Sequence, residues 1–491
     1  MRMRLVIAIS AHVSLFIGLA MLLPLAFALY HREPEAMPLA VSMGFTIILA
    51  GIVSLVLRVP KEDLTRREGM MIVTMIWVLA GLFGALPYFF AKTFGPLSFE
   101  SFVNCFFESV SGFTTTGASV LGATVPIESV GKGLLLWRSL TQWLGGMGII
   151  ALAVAILPIL GIAGMQLFKA ESAGHLQEKI RPRVRETAMV LWMVYIVLSV
   201  LEIVFLMLGN MSPYDAICHT FTSLSTGGFS THNASIAAFN SLYIEVVIQI
   251  FMLLGATSFA LHFMAWTRRG PRCYLRDSQF KFFIMVLIGT ILFVSWRLFS
   301  TGAYATPGIA LRYGSFQVVS LMTATGYATA NYNIWPFGPQ LMLLLCMLIG
   351  GCAGSTAGGI KHVRVLLMLK YAYREIERLL HTRIFAAVKM GGRVVHRNIL
   401  ESVMAFFFYY IAFFFVASLA LSTLGMTLDE SFYSVASSLG GVGPAIGRAG
   451  SMGNYFFMPL AAKGILIACM ILGRLEIFTV LVLLTPGFWK K

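Results

Sequence analysis

The sequence predicts an all-α polytopic membrane protein, with four parallel helix–pore-loop–helix repeats in pseudo-fourfold arrangement behind an N-terminal two-helix unit. Three observations predict it. The chain is 58% hydrophobic and only 12% charged, with a mean hydropathy of +0.83, far from the balance of a soluble protein. Apolar stretches long enough to cross a bilayer, about 20 residues each, recur throughout. Four short runs of small and hydroxylated residues interrupt them: Thr114-Thr115-Thr116-Gly117, Leu224-Ser225-Thr226-Gly227, Thr323-Ala324-Thr325-Gly326 and Gly440-Gly441-Val442-Gly443. Their last glycines are 110, 99 and 117 residues apart (227−117, 326−227, 443−326), which sets a long internal repeat.

Ten spans can be placed, near 5–30, 37–58, 68–92, 133–160, 186–209, 240–266, 279–299, 338–369, 397–424 and 456–486. The start, Met1-Arg2-Met3-Arg4 and then apolar Leu5 to Tyr30, is too long for a signal-peptide core and reads as a retained first span. Between the third and fourth spans, and in each later pair, falls a shorter amphipathic piece: Phe99–Val110, Tyr214–Thr222, Ala310–Ser320 and Asp429–Ser437. Each is too short to span and runs into one of the four loops, so each reads as a half-crossing pore helix. The units are then 1–67 (two-helix unit), 68–185, 186–278, 279–396 and 397–491 (four pore repeats).

The formal charge of +15 does not call for a nucleic-acid partner, because Lys and Arg cluster in alternate loops. Arg58, Lys61, Arg66 and Arg67 share a side with Lys179, Arg181, Arg183 and Arg185, with Arg268, Arg269, Arg272 and Arg276, and with Arg374, Arg378, Arg383, Lys389, Arg393 and Arg397. By the positive-inside rule these loops and both termini are cytoplasmic. The loops at the half-helices then face outward. The six cysteines form no CxxC pair and read as buried free thiols. The nine histidines have no metal-ligand spacing, and no phosphate-binding loop follows a strand pattern, so an ATP-driven pump is excluded.

The loops carry the chemistry. Glycine accepts the dihedrals that turn successive carbonyls toward an axis, and such oxygens can replace an ion's hydration shell. The half-helix ahead of each loop points the negative end of its dipole at the same place, which favours a cation. The expected filter residues are Thr115, Thr116, Gly117, Ser225, Thr226, Gly227, Ala324, Thr325, Gly326, Gly441, Val442 and Gly443. No acidic ring is present in the loops, which argues against a carboxylate filter for Ca²⁺. Close helix packing by small residues is the plainer account of any one loop, but it does not explain a half-helix before each.

These runs also resemble a known family. Phe106 to Gly117, Thr222 to Ser230, Gly350 to Lys361 and Leu472 to Val480 are similar to the Trk/Ktr/HKT superfamily of potassium uptake proteins, and the extra N-terminal helix pair makes the bacterial TrkH type the most similar. The resemblance implies a K⁺-conducting pore in a bacterial inner membrane, with K⁺ bound at the filter residues and at no other metal site, and no cofactor in this chain. It also implies a homodimer and a cytosolic TrkA-type nucleotide-binding regulatory subunit. Val442 and Gly440-Gly441 depart from the family pattern, which suggests a filter that also admits Rb⁺ or some Na⁺.

Within the eighth span, Gly350, Gly354 and Gly358 recur every fourth residue, as in a packed helix face. Yet seven of the ten residues from 350 to 359 are Gly, Ser or Thr, which disfavours helix. By resemblance this is an intramembrane gate: Gly354, Ser355, Thr356, Ala357, Gly358, Gly359 and Lys361, faced by Arg474 as a positive barrier. Arg474 lies mid-span, so it should face the pore or a partner rather than lipid. Glu108, Glu202 and Lys463 read as structural or interfacial. The basic amphipathic run Tyr371 to Leu380 suits membrane lipids and the docking of a regulator. The main alternative is a proton- or sodium-coupled K⁺ symporter, whose folds are usually inverted repeats with mid-membrane acids. An enzyme would need clustered nucleophiles, metal ligands or acid–base pairs, and none is present.

Overall fold

The structure is a computed structural model that describes residues 2–57, 65–123, 125–155, 184–380 and 387–490. The basic-loop residues Arg58, Lys61, Lys179, Arg181, Arg183 and Arg383, and residues 156–160 of the fourth predicted span, lie outside the described residues.

Among the described residues, six helices are long and apolar enough to cross a membrane, or eight if two bent pairs each count as one span. The N-terminal unit is Met3–Ala20, Leu22–Tyr30 and Ala36–Val56, of which Met3–Tyr30 counts as one 28-residue span. Four units then follow the same order of entering helix, half-helix, loop and returning helix. The entering helices are Arg66–Phe90, Val184–Leu208, Ser278–Ser300 and Arg397–Thr423. The half-helices are Phe99–Phe113, Pro213–Ser223, Pro307–Met322 and Leu428–Gly440.

Each half-helix starts for the same local reason. Ser98, Ser212, Thr306 and Thr427 are N-caps whose hydroxyls accept from the backbone N–H of Ser101, Asp215, Ile309 and Glu430. That satisfies one of the orphan donors of the first turn. Pro213 and Pro307 follow their caps directly, where a missing N–H costs nothing.

The returning helices differ from one another. The first is Lys132–Ala155. The second bends by 96° after Gly255, and the fourth by 117° after Arg474. The third, predicted as one broken span, is Phe337–Leu348 and His362–Leu380, joined through a loop whose ends pair in parallel, Ile349 with Ile360 and Gly350 with Lys361. The two sharp bends are absent from the ten-span reading, because apolar composition runs through both. Gly255 and Gly473 lie at or next to these bends. A Cβ on either would lie 2.7 Å and 2.1 Å from the carbonyl oxygens of Leu224 and Leu439, at the ends of their own half-helices, and Gly145 meets Phe113 in the same way at 1.9 Å. Backbone therefore packs on backbone at these crossings.

The largest apolar core joins all four units, the first through Phe107, Val110, Ala118 and Val120. A second core joins the N-terminal unit to the first. All six cysteines are buried and free.

Candidate functional site: a ring of four loops and a fifth beneath them

The four loops share one hydrogen-bond register. Thr116 and Gly117 donate to Ser111 O, Gly227 and Gly228 to Thr222 O, Thr325 and Gly326 to Ser320 O, and Val442 to Ser437 O. The dihedrals agree. Thr115, Thr226, Ala324 and Gly441 have φ of 52°, 53°, 57° and 65°, and Gly117, Gly228, Gly326 and Gly443 have φ of 81°, 76°, 85° and 103°. The second loop is therefore shifted by one residue from its expected alignment. Gly228, not Gly227, takes the place of Gly117, Gly326 and Gly443, and Gly227 occupies the position of Thr116, Thr325 and Val442. The adjacent glycines hid this, since either completes a Thr-Gly step in the sequence.

The loops also meet in cyclic order. A Cβ on Gly117 would lie 2.1 Å from the carbonyl oxygen of Gly227, on Gly228 1.9 Å from that of Thr325, on Gly326 1.9 Å from that of Val442, and on Gly443 2.7 Å from that of Thr116. Each glycine thus faces the carbonyl of the next loop, and the fourth returns to the first. This brings Thr115, Thr116, Gly117, Ser225, Thr226, Gly227, Ala324, Thr325, Gly326, Gly441, Val442 and Gly443 together in one closed ring.

Side chains from neighbouring units brace it. The Arg138 guanidinium donates to Glu108 at 2.7 Å, to Ser230 O at 2.9 Å and to Ser119 Oγ at 3.1 Å, and lies 3.5 Å from the Phe229 ring centroid. Removing one partner of such a buried pair strands the other charge. Tyr327 of the third unit donates to His219 O and meets the Thr222 hydroxyl of the second half-helix. Tyr455 donates to Gly443 O at 2.8 Å, while its backbone N–H reaches Ser119 O. Lys463 donates to Asn104 Oδ1 at 2.7 Å and to Phe456 O at 2.9 Å, tying the fourth unit to the first half-helix. Glu202 accepts from Ser223 at the end of the second half-helix. Sequence alone gave Glu108, Glu202 and Lys463 no partners, and Arg138, Tyr327 and Tyr455 drew no notice because their partners are distant along the chain.

The 349–361 loop packs against this ring. The Thr356 hydroxyl lies 3.0 Å from both Leu224 O and Gly255 O, and 3.3 Å from the Thr226 hydroxyl. A Cβ on Gly358 would lie 2.1 Å from Gly440 O. Gly354 O accepts from Phe259 N–H and Ser355 donates to Cys352 O. Gly354 and Gly359 have φ of 72° and 69°, and Lys361 Nζ reaches back to Ala357 O.

Arg474 ends its helix at the bend rather than lying mid-helix. Its guanidinium donates to Thr356 O at 2.9 Å and to Gly145 O at 3.0 Å, so it joins the loop to the first unit's returning helix. Glu476, beyond the bend, pairs instead with Arg364 at 2.7 Å. Arg364 itself lies 4.0 Å from the Phe406 ring centroid. Glu476 and Ile477 both have positive φ, 55° and 54°, a strained pair.

The profile of the TrkH family, described as a cation transport protein, matches residues 39–490. The chain belongs to that family. It is 40% identical over 480 residues to the Trk system potassium uptake protein TrkH of Escherichia coli strain K12, covering 98% of this chain and 97% of that one. It is 38% identical to the TrkH of Halomonas elongata over the whole of both chains, and 34% identical to the E. coli TrkG, covering 96% of each. The fold superposes on the crystal structure of the potassium transporter TrkH from Vibrio parahaemolyticus with a TM-score of 0.91 and 36% identity, covering 100% of both chains. Membership of the TrkH family makes this an integral membrane transporter and not an enzyme.

Proposed function

We propose that this protein takes up K⁺ across a bacterial inner membrane through a channel-like pore, with the ring of four loops as its selectivity filter. The observation that carries this reading is the cyclic contact of Gly117, Gly228, Gly326 and Gly443 with the carbonyls of the next loop. A ring of oxygens at the C-terminal ends of four half-helices offers a cation both ligands and a favourable dipole field. The 354–359 loop, pinned by Arg474, is the gate. Arg474 stays charged because guanidinium does not release its proton, and it raises the barrier to a cation passing beside it.

The same reading makes the working unit a homodimer regulated by a cytosolic TrkA-type nucleotide-binding subunit, with the basic amphipathic helix His362–Leu380 as the proposed docking element. Both termini are cytoplasmic. These relatives are Trk system potassium uptake proteins, which supports K⁺ as the transported ion.

Gly117→Ser is the test, read as bi-ionic K⁺/Na⁺ reversal potentials in reconstituted bilayers. The variant is expected to shift selectivity toward Na⁺ or to abolish K⁺ uptake. An unchanged K⁺/Na⁺ ratio with full K⁺ uptake overturns the filter assignment. Glu202, a carboxyl buried behind the second half-helix, gives a proton-coupled symporter its best foothold. Such a symporter has a reversal potential that moves with pH, whereas the channel follows the K⁺ gradient alone.

A further inference from the structure

The ring is fourfold in outline but not in electrostatics. Gly117, Gly228, Gly326 and Gly443 each face the carbonyl of Gly227, Thr325, Val442 or Thr116. Among the described residues, the carbonyls of Thr116, Thr325 and Val442 accept no hydrogen bond, whereas Gly227 O accepts from Gln142 Nε2 at 2.7 Å. Gln142 Oε1 in turn accepts from Phe229 N–H at 3.1 Å. The amide orientation is forced by its partners, since Phe229 N–H can only donate and Gly227 O can only accept. The side chain is fully buried on the first unit's returning helix, so it clamps the loop of one unit from the next.

The clamp also accounts for the extra glycine. Where the other loops carry Thr116, Thr325 and Val442, a Cβ at position 227 would lie 2.4 Å from Gln142 Cδ and 2.5 Å from its Oε1. Only glycine leaves that space to the amide. Gly227 and Gln142 therefore form one device within the register that all four loops share.

We propose that Gln142 is a specificity-determining positioning residue of the filter. Its amide N–H draws on one carbonyl in a layer of four, weakening the field that this layer presents to a cation and holding the loop at a fixed width. Both effects disfavour the smaller, more strongly hydrated Na⁺ relative to K⁺. A weaker set of oxygens repays less of Na⁺ dehydration, and a fixed width resists collapse around a smaller ion. This rests on the reading of the four loops as the ion path.

The experiment compares Gln142→Leu, Gly227→Ala and the double variant in the full-length protein reconstituted in bilayers, with the K⁺/Na⁺ permeability ratio as the readout and Gly117→Ser as a reference. Gln142→Leu is expected to lower the ratio roughly fivefold, the factor that one hydrogen bond is worth. Gly227→Ala displaces the amide and should give a similar fall. The double variant should match either single one, because both remove the same interaction. A purely structural role would reduce folded protein and total flux while leaving the ratio unmoved, and that outcome overturns the proposal. So do additive effects in the double variant. If Gly117→Ser shifts the ratio and Gln142→Leu does not, the filter stands and this inference fails. If neither shifts it, the filter reading itself has failed.

Discussion

The ring and the loop beneath it are both glycine-rich irregular backbone, and they differ at the tip of the loop. In the ring, backbone meets backbone: three of its four key glycines face a carbonyl oxygen at 2.1 Å or less from an added Cβ, and the fourth at 2.7 Å. The ends of the 349–361 loop are packed as tightly, with a Cβ on Gly350 1.7 Å from Gly358 O and one on Gly358 2.1 Å from Gly440 O, but at its tip a Cβ on Gly354 would meet only the Ser258 side chain, at 3.1 Å, and there the Thr356 and Arg474 side chains add hydrogen bonds. Backbone contacts leave no alternative arrangement, whereas side-chain hydrogen bonds can be exchanged for others. The first arrangement suits a fixed geometry and the second a movable one.

Substitutions should separate the two regions by size and sign. Gly228→Ala is expected to have the largest effect. It forces an L residue to φ of 76° and a Cβ to 1.9 Å from Thr325 O, at a cost of about 2–4 kcal/mol from overpacking and the left-handed backbone together. Uptake by cells should fall by roughly 100-fold, as that cost implies. Near-normal uptake would mean that Gly228 does not belong to the ring.

Arg474→Gln breaks charge-assisted bonds to Thr356 O and Gly145 O, of which the shorter amide can remake only one. Losing one such bond, about 1.5–3 kcal/mol, should raise K⁺ flux per folded molecule by about tenfold and weaken dependence on the proposed cytosolic partner. A fall in flux per folded molecule would instead identify Arg474 as a structural tie between helices.

Thr356→Val keeps the side-chain shape and removes the hydroxyl shared between Leu224 O and Gly255 O. Single-channel open probability should rise by roughly fivefold, in line with about 1 kcal/mol for the bond. No change would mean that this hydroxyl does not hold the loop.

Gly354→Ala should have the smallest effect. The Ser258 hydroxyl, 3.1 Å from an added Cβ, has only to give by a few tenths of an ångström, so the main cost is the positive φ of 72°, about 1 kcal/mol, and gating should shift by a few-fold with the K⁺/Na⁺ ratio intact. A changed ratio in this variant would erase the distinction between a selecting ring and a gating loop.

Much of this was legible in the sequence because it is local. Half-helices announce themselves by a hydroxyl cap and an amphipathic run, and the loops by small residues at a long repeat. The unwound segment after Leu348 was equally readable, since five glycines between 350 and 359 oppose helix. The bends after Gly255 and Arg474 were not, because Ala256 to Ser258 and Leu475 to Ile477 carry no break signal stronger than their apolar neighbours. The crossings of Gly145, Gly255 and Gly473 on the half-helix ends left a faint periodic trace, one glycine per returning helix in three units. Contacts such as Gln142 with Gly227, Tyr327 with His219, and Arg364 with Glu476 join residues 85, 108 and 112 positions apart. Chain spacing holds no record of them.

The ring is drawn from one chain, and this changes how it can vary. In an assembly of four identical subunits, any substitution enters the filter four times, so a change costing about 1 kcal/mol at one position costs about 4 when the sites act independently. Here it enters once. Val442 and Gly227 each stand where the remaining loops carry threonine, and each alters a single quadrant. With the ring proposed as the filter, ion preference would drift in quarter-steps, through variants that a symmetric tetramer would have to accept whole or not at all.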